Sequence, residues 1–497
     1  MTAPPPFRWP ALVGALVLTG VICLLPTPEG LPVAGHRVLG VLAGAIVLWV
    51  TEAVSFAVSG VVIVALLALL VGFAPALPGA ATTATAAPVK AFGTAKALTL
   101  AMDGFRTSAV ILVSGALFLA AAMKRTGLDR RIALNILARV GSSTTGLFLG
   151  VIAVAIVLAF FVPSTTARAA ALVPIMSGIV TAFALPIDSR LGALLLMTVA
   201  HASTIWNVGI KTAAGQNLVG VGLIDKGLQH TITWGEWFVA GAPWAALMTL
   251  VLIVVMPRMV RPGPVGGPTA LELLRAQRDA LGPVTPAERR LLILSVVLLA
   301  VWASEGWLHP LDSATAMVVA LMCMLLPGIG VMTWDEAESR VPWGTMVLFG
   351  VGVSLGGALI ETGAAKWTAE ATLGQLGVAT MSPLAMIATL TVINIVVHQG
   401  FASATGLAAA LIPIVLAFFT GLARADAPAY GMTLVQLFMV SVGFVLPVNS
   451  PQNMVCHGTG AFTTREFLRI GIPLTLAAIG VTLLLAATYW RWIGLLA

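Results

Sequence analysis

The stretch Ser164-Thr165-Thr166-Ala167-Arg168-Ala169-Ala170-Ala171-Leu172-Val173-Pro174-Ile175 has a second copy in this chain. The copy, Ser403-Ala404-Thr405-Gly406-Leu407-Ala408-Ala409-Ala410-Leu411-Ile412-Pro413-Ile414, begins 239 residues later and agrees with the first at eight of twelve positions. Each copy sets small hydroxyl residues after one apolar run, 146–162 or 383–397, and before a second that ends in Pro-Ile. No charged loop of the kind that joins two full spans separates the paired runs. The simplest geometry is a re-entrant helical hairpin, which enters a membrane, turns near its middle and leaves on the side it entered. The turn exposes backbone N–H groups, hydroxyls and the positive end of the second half-helix, and such backbone is tolerated at that depth only where it lines a cavity. A single copy would read as a Ser/Thr kink in a continuous helix; the duplication argues against that.

The composition sets the class. Of 497 residues, 59% are hydrophobic and 9% charged, with a mean hydropathy of +1.03. A soluble chain carries roughly a quarter charged residues, so this is an all-α polytopic membrane protein. Its net charge of +7 lies mostly in membrane-flanking loops and speaks to topology and the anionic headgroups of a lipid bilayer, not to nucleic acid. Cys23, Cys323 and Cys456 lie in or beside apolar runs at no metal-ligand spacing and read as packing residues. No zinc motif, phosphate-binding glycine loop or nucleophile–base spacing is present, so an enzyme is not expected.

Outward from the hairpins, spans are expected over 11–25, 39–50, 54–73 and 107–123, with 74–106 a loop rich in Ala, Thr and Pro. Residues 124–140, carrying Lys124, Arg125, Arg130, Arg131 and Arg139, read as a basic amphipathic helix on the cytoplasmic membrane surface. After the first hairpin, 191–223 is too long for one straight span at 1.5 Å per residue, and the segment from Asn207 to Asn217 interrupts it. That predicts a helix broken at mid-membrane. A span at 237–256 follows. A cytoplasmic linker, 258–290, has six arginines and a short amphipathic helix near 271–281. The second half repeats the plan. Spans at 291–307 and 314–326 lead to a polar loop at 333–342 and a span at 344–360. The second hairpin follows, then a stretch at 435–455 interrupted around Pro447–Asn453, and a last span at 468–489.

The total is about eleven transmembrane helices plus two re-entrant hairpins. Each repeat has an odd number of spans, so the halves insert with opposite orientation as an inverted-topology repeat, the pattern that marks a transporter site. The expected divisions are an N-terminal helix 1–36, a first repeat 37–257, the linker 258–290 and a second repeat 291–497. In each repeat a scaffold (37–140; 291–381) precedes a transport part made of hairpin and broken helix (143–257; 382–497). The N-terminus falls on the cytoplasmic side of an inner membrane.

The paired tips resemble those of the divalent anion:sodium symporter family. So do Leu48-Trp49-Val50-Thr51-Glu52-Ala53, the run Arg130-Arg131-Ile132-Ala133-Leu134-Asn135-Ile136-Leu137 followed by Val140-Gly141-Ser142-Ser143, and Val341-Pro342-Trp343-Gly344. The resemblance implies an elevator-type secondary transporter, often a homodimer. It would carry small divalent anions such as succinate, malate, 2-oxoglutarate or citrate. Family tips typically read Ser-Asn-Thr, binding substrate carboxylate and helping to hold Na⁺ beside each broken helix. Carried onto this chain, substrate binding falls to Ser164, Thr165 and Thr166 with Ser403, Ala404 and Thr405. Asn217 and Asn453, with Gln216, Ser450 and Gln452, would close the site or bind the ion. A candidate Na⁺ would lie near Ser164, Asn217, Ser403 and Asn453; no other cofactor is implied. Both tip asparagines are absent here. The breaks, often Thr-Pro-Pro-Asn in the family, read Ala214-Gly215-Gln216-Asn217 and Ser450-Pro451-Gln452-Asn453.

Two cations bear on the coupling. Arg168 falls one turn into the second half-helix of the first hairpin, and Lys211 falls in the first break. Intramembrane cations are costly and normally paired. One partner for both would be a bound dianion, which Arg168 could grip with a forked donor set; the alternative partners are helix and break carbonyls. Family members that exchange one dicarboxylate for another often carry Ser-Asn-Thr-Ala-Arg in the first tip, which Ser164–Arg168 resembles. His201 and His398 read as hydrogen-bonded core residues before proton carriers. The expectation is dicarboxylate exchange or sodium-independent transport, with sodium-coupled symport as the alternative. A membrane-embedded enzyme is a further alternative, weakened because Glu52, Glu305 and Glu361 sit near span ends.

Overall fold

A computed structural model describes residues 8–77, 91–140, 143–263 and 268–497. Residues 78–90 of the expected loop, the Gly141-Ser142 pair of one landmark and residues 264–267 of the linker lie outside these. Among the described residues the chain is helical without a strand. Among the described residues nine helices are long and apolar enough to cross a membrane, and five shorter apolar ones accompany them.

Helix α1 (Trp9–Leu24) precedes the first half, which opens with α2 (Val33–Thr51) and α3 (Phe56–Leu66). Next come α4 (Thr94–Met102), α5 (Ser108–Thr126) and α6 (Leu128–Val140). The first hairpin is α7 (Thr144–Phe161) and α8 (Thr165–Ala182). The broken helix is α9 (Arg190–Gly209) and α10 (Gly215–Leu228), separated by a 3₁₀ turn over Lys211–Ala213. Helix α11 (Trp234–Val260) leads to the linker helix α12 (Pro268–Asp279). In the second half α13 (Pro286–Ala303), α14 (Ser313–Leu325), α15 (Trp334–Arg340), α16 (Trp343–Glu361) and α17 (Ala364–Ala369) stand where α2 to α6 stood. The second hairpin is α18 (Pro383–His398) and α19 (Ala404–Leu422). The second broken helix is α20 (Ala429–Val440) and α21 (Pro451–His457), with α22 (Thr464–Ala487) and α23 (Tyr489–Trp492) closing the chain.

Local chemistry explains the boundaries. Capping boxes at Thr233/Glu236, Thr285/Glu288, Thr333/Glu336 and Thr463/Glu466 start α11, α13, α15 and α22, each satisfying first-turn N–H groups where the chain enters a helix. Gly127 (φ 75°) ends α5 in the left-handed region, and Gly363 (φ 74°) makes the corresponding turn after α16.

Four expectations are corrected. The supposed loop at 74–106 contains α4 and a 3₁₀ turn at Asp103–Arg106, because α4 finds a buried face (Ala97, Leu100 and Ala101) that period counting did not register. The supposed polar loop at 333–342 is α15, started by its capping box. Helix α6 is not merely laid on a membrane surface. Arg131 is buried and donates to Glu288 Oε1 at 2.7 Å and to the carbonyls of Gly282 and Leu281, so α6 is clamped to the linker. The linker itself is shorter than expected, since α11 runs to Val260 and α13 begins at Pro286.

The second pair is a hairpin by its own bonding. Arg424, just past α19, donates to the carbonyls of Ala379 and Met381, just before α18, at 2.9 and 3.0 Å. The first pair opens toward the linker. Thr144 at the start of α7 donates to Gly263 O, and Gly178 late in α8 faces the Gln277 side chain of α12. Helix α19 instead runs toward the end of α10, where Gly227 meets Leu416. The glycine-rich run of α16 is a packing surface: Gly350 lies under Phe105, Gly352 near Ala409 and Gly356 under Leu223 and Pro413.

Candidate functional site

The two tips have nearly the same backbone. Ser164 (φ −141°, ψ 111°) caps α8, accepting from Ala167 N at 3.3 Å; Ser403 (φ −136°, ψ 115°) caps α19, accepting from Gly406 N at 3.3 Å. Each serine oxygen is thus engaged as an acceptor while its O–H remains a donor. Thr166 and Thr405 are half-buried, and no protein bond to either hydroxyl is seen among the described residues. Two hydroxyl donors at the positive end of a half-helix are groups of the kind that can receive an anionic oxygen. Thr165 differs. It is buried and donates to Asn207 Oδ1 at 2.8 Å, so its hydroxyl belongs to the structure of the tip. Ala404, also buried, offers no side-chain oxygen.

Arg168 is fully enclosed. Nη1 donates to the carbonyls of Val162 and Ala213 at 2.7 and 2.8 Å, and Nη2 to Asn207 Oδ1 at 2.7 Å and Ser203 O at 3.3 Å. Its guanidinium therefore ties the last turn of α7 to the break between α9 and α10. The carbonyls that a turn and a broken helix leave unpaired are its partners, and no carboxylate fork is free on Nη1 or Nη2. Of the two partners weighed for Arg168 and Lys211, a shared dianion or backbone carbonyls, carbonyls are the ones both side chains bond here. Lys211, 3% exposed, turns the other way and donates to Ile232 O. It borders a cavity of about 150 Å³ shared with Asp225, Glu305 and Asp312.

The second tip uses a different brace at the matching place. Asn449 stands 236 residues after Ala213, as Asn453 stands after Asn217. The Asn449 carbonyl lies 3.2 Å from His398 Nε2, and Asn449 Nδ2 donates back to His398 O at 2.9 Å. A histidine at the end of α18 thus does for the second break what Arg168 does for the first. His201 is not part of either brace; it stacks on Phe467 with centroids 4.6 Å apart. Ser450 is buried beside Gly443.

The break asparagines match. Asn217 Nδ2 donates to Asn207 O at 2.7 Å and Asn453 Nδ2 to Gly443 O at 2.9 Å, each ten residues back. In both, Oδ1 is buried and has no protein partner among the described residues. The glutamines beside them cross between the halves. Gln216 Nε2 donates to Ser441 Oγ at 3.2 Å, and Gln452 Nε2 to Thr204 Oγ1 at 3.0 Å. Packing crosses too, α21 against α8 and α10 against α19. Asn207, read from the sequence as a residue that lines the cavity or bonds across helices, does bond across them, to Thr165 and Arg168. Ser441 and Asn449 are structural members that sequence reasoning did not single out: Asn449 had only its place inside the second interruption as a signal, and Ser441, just past the end of α20, had none.

Residues 7–496 match the family described as the sodium:sulfate symporter transmembrane region. The chain is 47% identical over 485 residues to a Cupriavidus necator protein described as a membrane protein, covering 97% of this chain and 92% of that one. It is 28% identical over 507 residues to the L-tartrate/succinate antiporter of Escherichia coli K12, covering 99% and 100%. Among solved structures the fold resembles the YdaH transporter of Alcanivorax borkumensis (TM-score 0.57, 14% identity, 91% of this chain and 100% of that one). It also resembles MtrF of Neisseria gonorrhoeae, one of a class of antimetabolite efflux pumps (TM-score 0.54, 16% identity, 95% and 96%).

Proposed function

The chain belongs to the sodium:sulfate symporter, or divalent anion:sodium symporter, family, and from that premise we propose that it exchanges one small dicarboxylate for another across the inner membrane. Succinate, malate, 2-oxoglutarate, tartrate and the tricarboxylate citrate are the substrate class. The similarity to a relative named as an L-tartrate/succinate antiporter supports this choice. Ser164 and Thr166 at one tip and Ser403 and Thr405 at the other donate to the two ends of the anion, each tip adding the positive end of a half-helix. The hairpins and broken helices (143–257 and 382–497) move as a unit against a scaffold formed by 37–140 and 291–381. The assembled protein is a homodimer, with the N-terminus and the linker in the cytoplasm.

The observation that carries exchange over symport is the Arg168 brace. A Na⁺ at the first tip would draw on oxygens there, and Asn217 Oδ1, buried without a partner, is a fitting donor. Yet Arg168 and Asn217 bond the same residue, Asn207, one at its side-chain oxygen and the other at its backbone carbonyl, so a fixed cation is one residue removed from the asparagine a mobile one would use. Two unit charges about 5 Å apart repel by roughly 3 kcal/mol at an effective dielectric near 20. The fixed charge also offsets the dianion during its passage. An empty carrier keeps that charge uncompensated in the membrane and crosses poorly, which makes exchange obligatory.

Sodium symport is the second reading, favoured by the two orphan oxygens Asn217 Oδ1 and Asn453 Oδ1. Proteoliposomes decide between the two. Vesicles preloaded with unlabelled succinate, with choline replacing sodium outside, should take up labelled dicarboxylate rapidly and lose that uptake when the lumen is emptied. Uptake into empty vesicles that appears only with an inward sodium gradient would overturn exchange.

A further inference from the structure

Helix α10 begins at the site and ends at a charge cluster that the transport reading does not use. Asn217 stands in its first turn and Lys226 in its last. Lys226 Nζ lies 2.7 Å from Asp103 Oδ2, in the 3₁₀ turn before α5, and 2.7 Å from Glu361 Oε1, at the end of α16. The Lys226 and Asp103 side chains are only 17% and 13% exposed, whereas Glu361 is 47% exposed. The lysine stem lies in a groove floored by Gly357, where an added Cβ would collide with Nζ and fall 3.0 Å from Cε.

The rest of this face of α10 is smooth. Gly215 abuts the Phe349 ring, Gly222 meets Ala109 and Val353, and Leu223 covers Gly356. Such contacts are non-directional and re-form after a shift. The ion pairs are directional: a displacement by one helical turn, about 5.4 Å, carries Nζ out of reach of both carboxylates. The cost of release is unequal among the partners. Asp103 keeps Arg106 as a neighbour, and Glu361 reaches water. Asp103 lies outside the spanning helices; burial opposes its charge, yet hydrogen bonds and charges from Lys226 and Arg106 outweigh this and hold its carboxyl below the usual range.

We propose that Lys226 is an electrostatic clasp that holds the site-bearing unit against α5 and α16 in the conformation seen here, and that it opens and closes once per transport cycle. The clasp rests on the reading that hairpins and broken helices move against a scaffold. Because Asn217 and Lys226 share one helix, the clasp senses the position of the site at its other end. It is a positioning device; it does not touch substrate.

A cysteine pair reports the closed state. A Cβ added at Gly352 on α16 lies 3.3 Å from Ala409 Cβ on α19, near the range a disulfide needs. In full-length protein with Cys23, Cys323 and Cys456 replaced by alanine, Gly352→Cys with Ala409→Cys should cross-link under mild oxidation and stop exchange. Adding Lys226→Met or Asp103→Asn should slow cross-linking about fivefold, the scale of a partly shielded ion pair. The two together should slow it no further, and Lys226→Arg should restore it. Cross-linking at the parent rate in Lys226→Met and Asp103→Asn, with exchange intact, overturns the clasp alone. A cross-linked carrier that exchanges at the uncross-linked rate overturns the moving-unit reading, and the clasp with it.

Discussion

Gln452 donates to Thr204 across the two halves of the chain, Nε2 to Oγ1 at 3.0 Å, and Gln216 returns the contact by donating to Ser441 at 3.2 Å. The two broken helices are therefore buttoned to each other beside the asparagines that carry the orphan oxygens. Thr204 also donates to Ala200 O at 2.8 Å, so losing Gln452 removes an acceptor's partner without orphaning the hydroxyl proton. Gln452→Leu should cost about 1 kcal/mol of stability, and so should Gln216→Leu. The pair in one protein should also uncouple the breaks and lower the maximal exchange rate by more than the product of the single effects. Thermal unfolding and exchange kinetics measure the two parts.

Thr166→Val and Thr405→Val should each abolish uptake at unchanged melting temperature, because neither hydroxyl serves a protein partner among the described residues. Thr165→Val should behave differently. It breaks the bond to Asn207 and should destabilise the protein by about 1 kcal/mol, with a smaller loss of transport than the other two. Uptake at the parent rate by both Thr166→Val and Thr405→Val would remove the tips as the binding site.

Arg168→Lys tests brace against ligand. The guanidinium serves two carbonyls through Nη1 and a carbonyl and an amide oxygen through Nη2; an ammonium has three donors and no fork. As a brace, the residue should yield a variant about 2–3 kcal/mol less stable, with a reduced maximal rate and a KM for the surviving fraction near the parent value. A KM raised tenfold or more with stability intact would return Arg168 to the substrate. Arg168→Met should be worse than lysine, since it leaves the Val162 and Ala213 carbonyls buried and unpaired.

Cysteines introduced at Ala276 on the linker helix and at Ala425 beside the base of the second hairpin should react with an impermeant maleimide from opposite faces of the membrane. The linker packs at the mouth of the first hairpin, and Arg424 closes the base of the second. Labelling of both from one face would remove the inverted insertion.

Residue chemistry read along the chain was enough for the membrane class, the duplicated tips, the two interrupted helices and the family. These rest on hydropathy, period and repetition, which are local or need only one copy compared with the other. It was not enough for the directions of the buried cations. Arg168 points as it does because Val162, Ser203, Asn207 and Ala213, brought from 6, 35, 39 and 45 residues away, present unpaired oxygens around it. Lys211 stands only two residues before Ala213, yet it turns to Ile232 and the cavity of Asp225, Glu305 and Asp312. Lys226 meets Asp103 and Glu361 only because α10 crosses Gly357. Helix α4 was likewise hidden, since its short apolar stripe acquires meaning only against α3 and α16. A charge in a low-dielectric interior is placed by the sum of partners that tertiary packing delivers, and no stretch of sequence contains that sum.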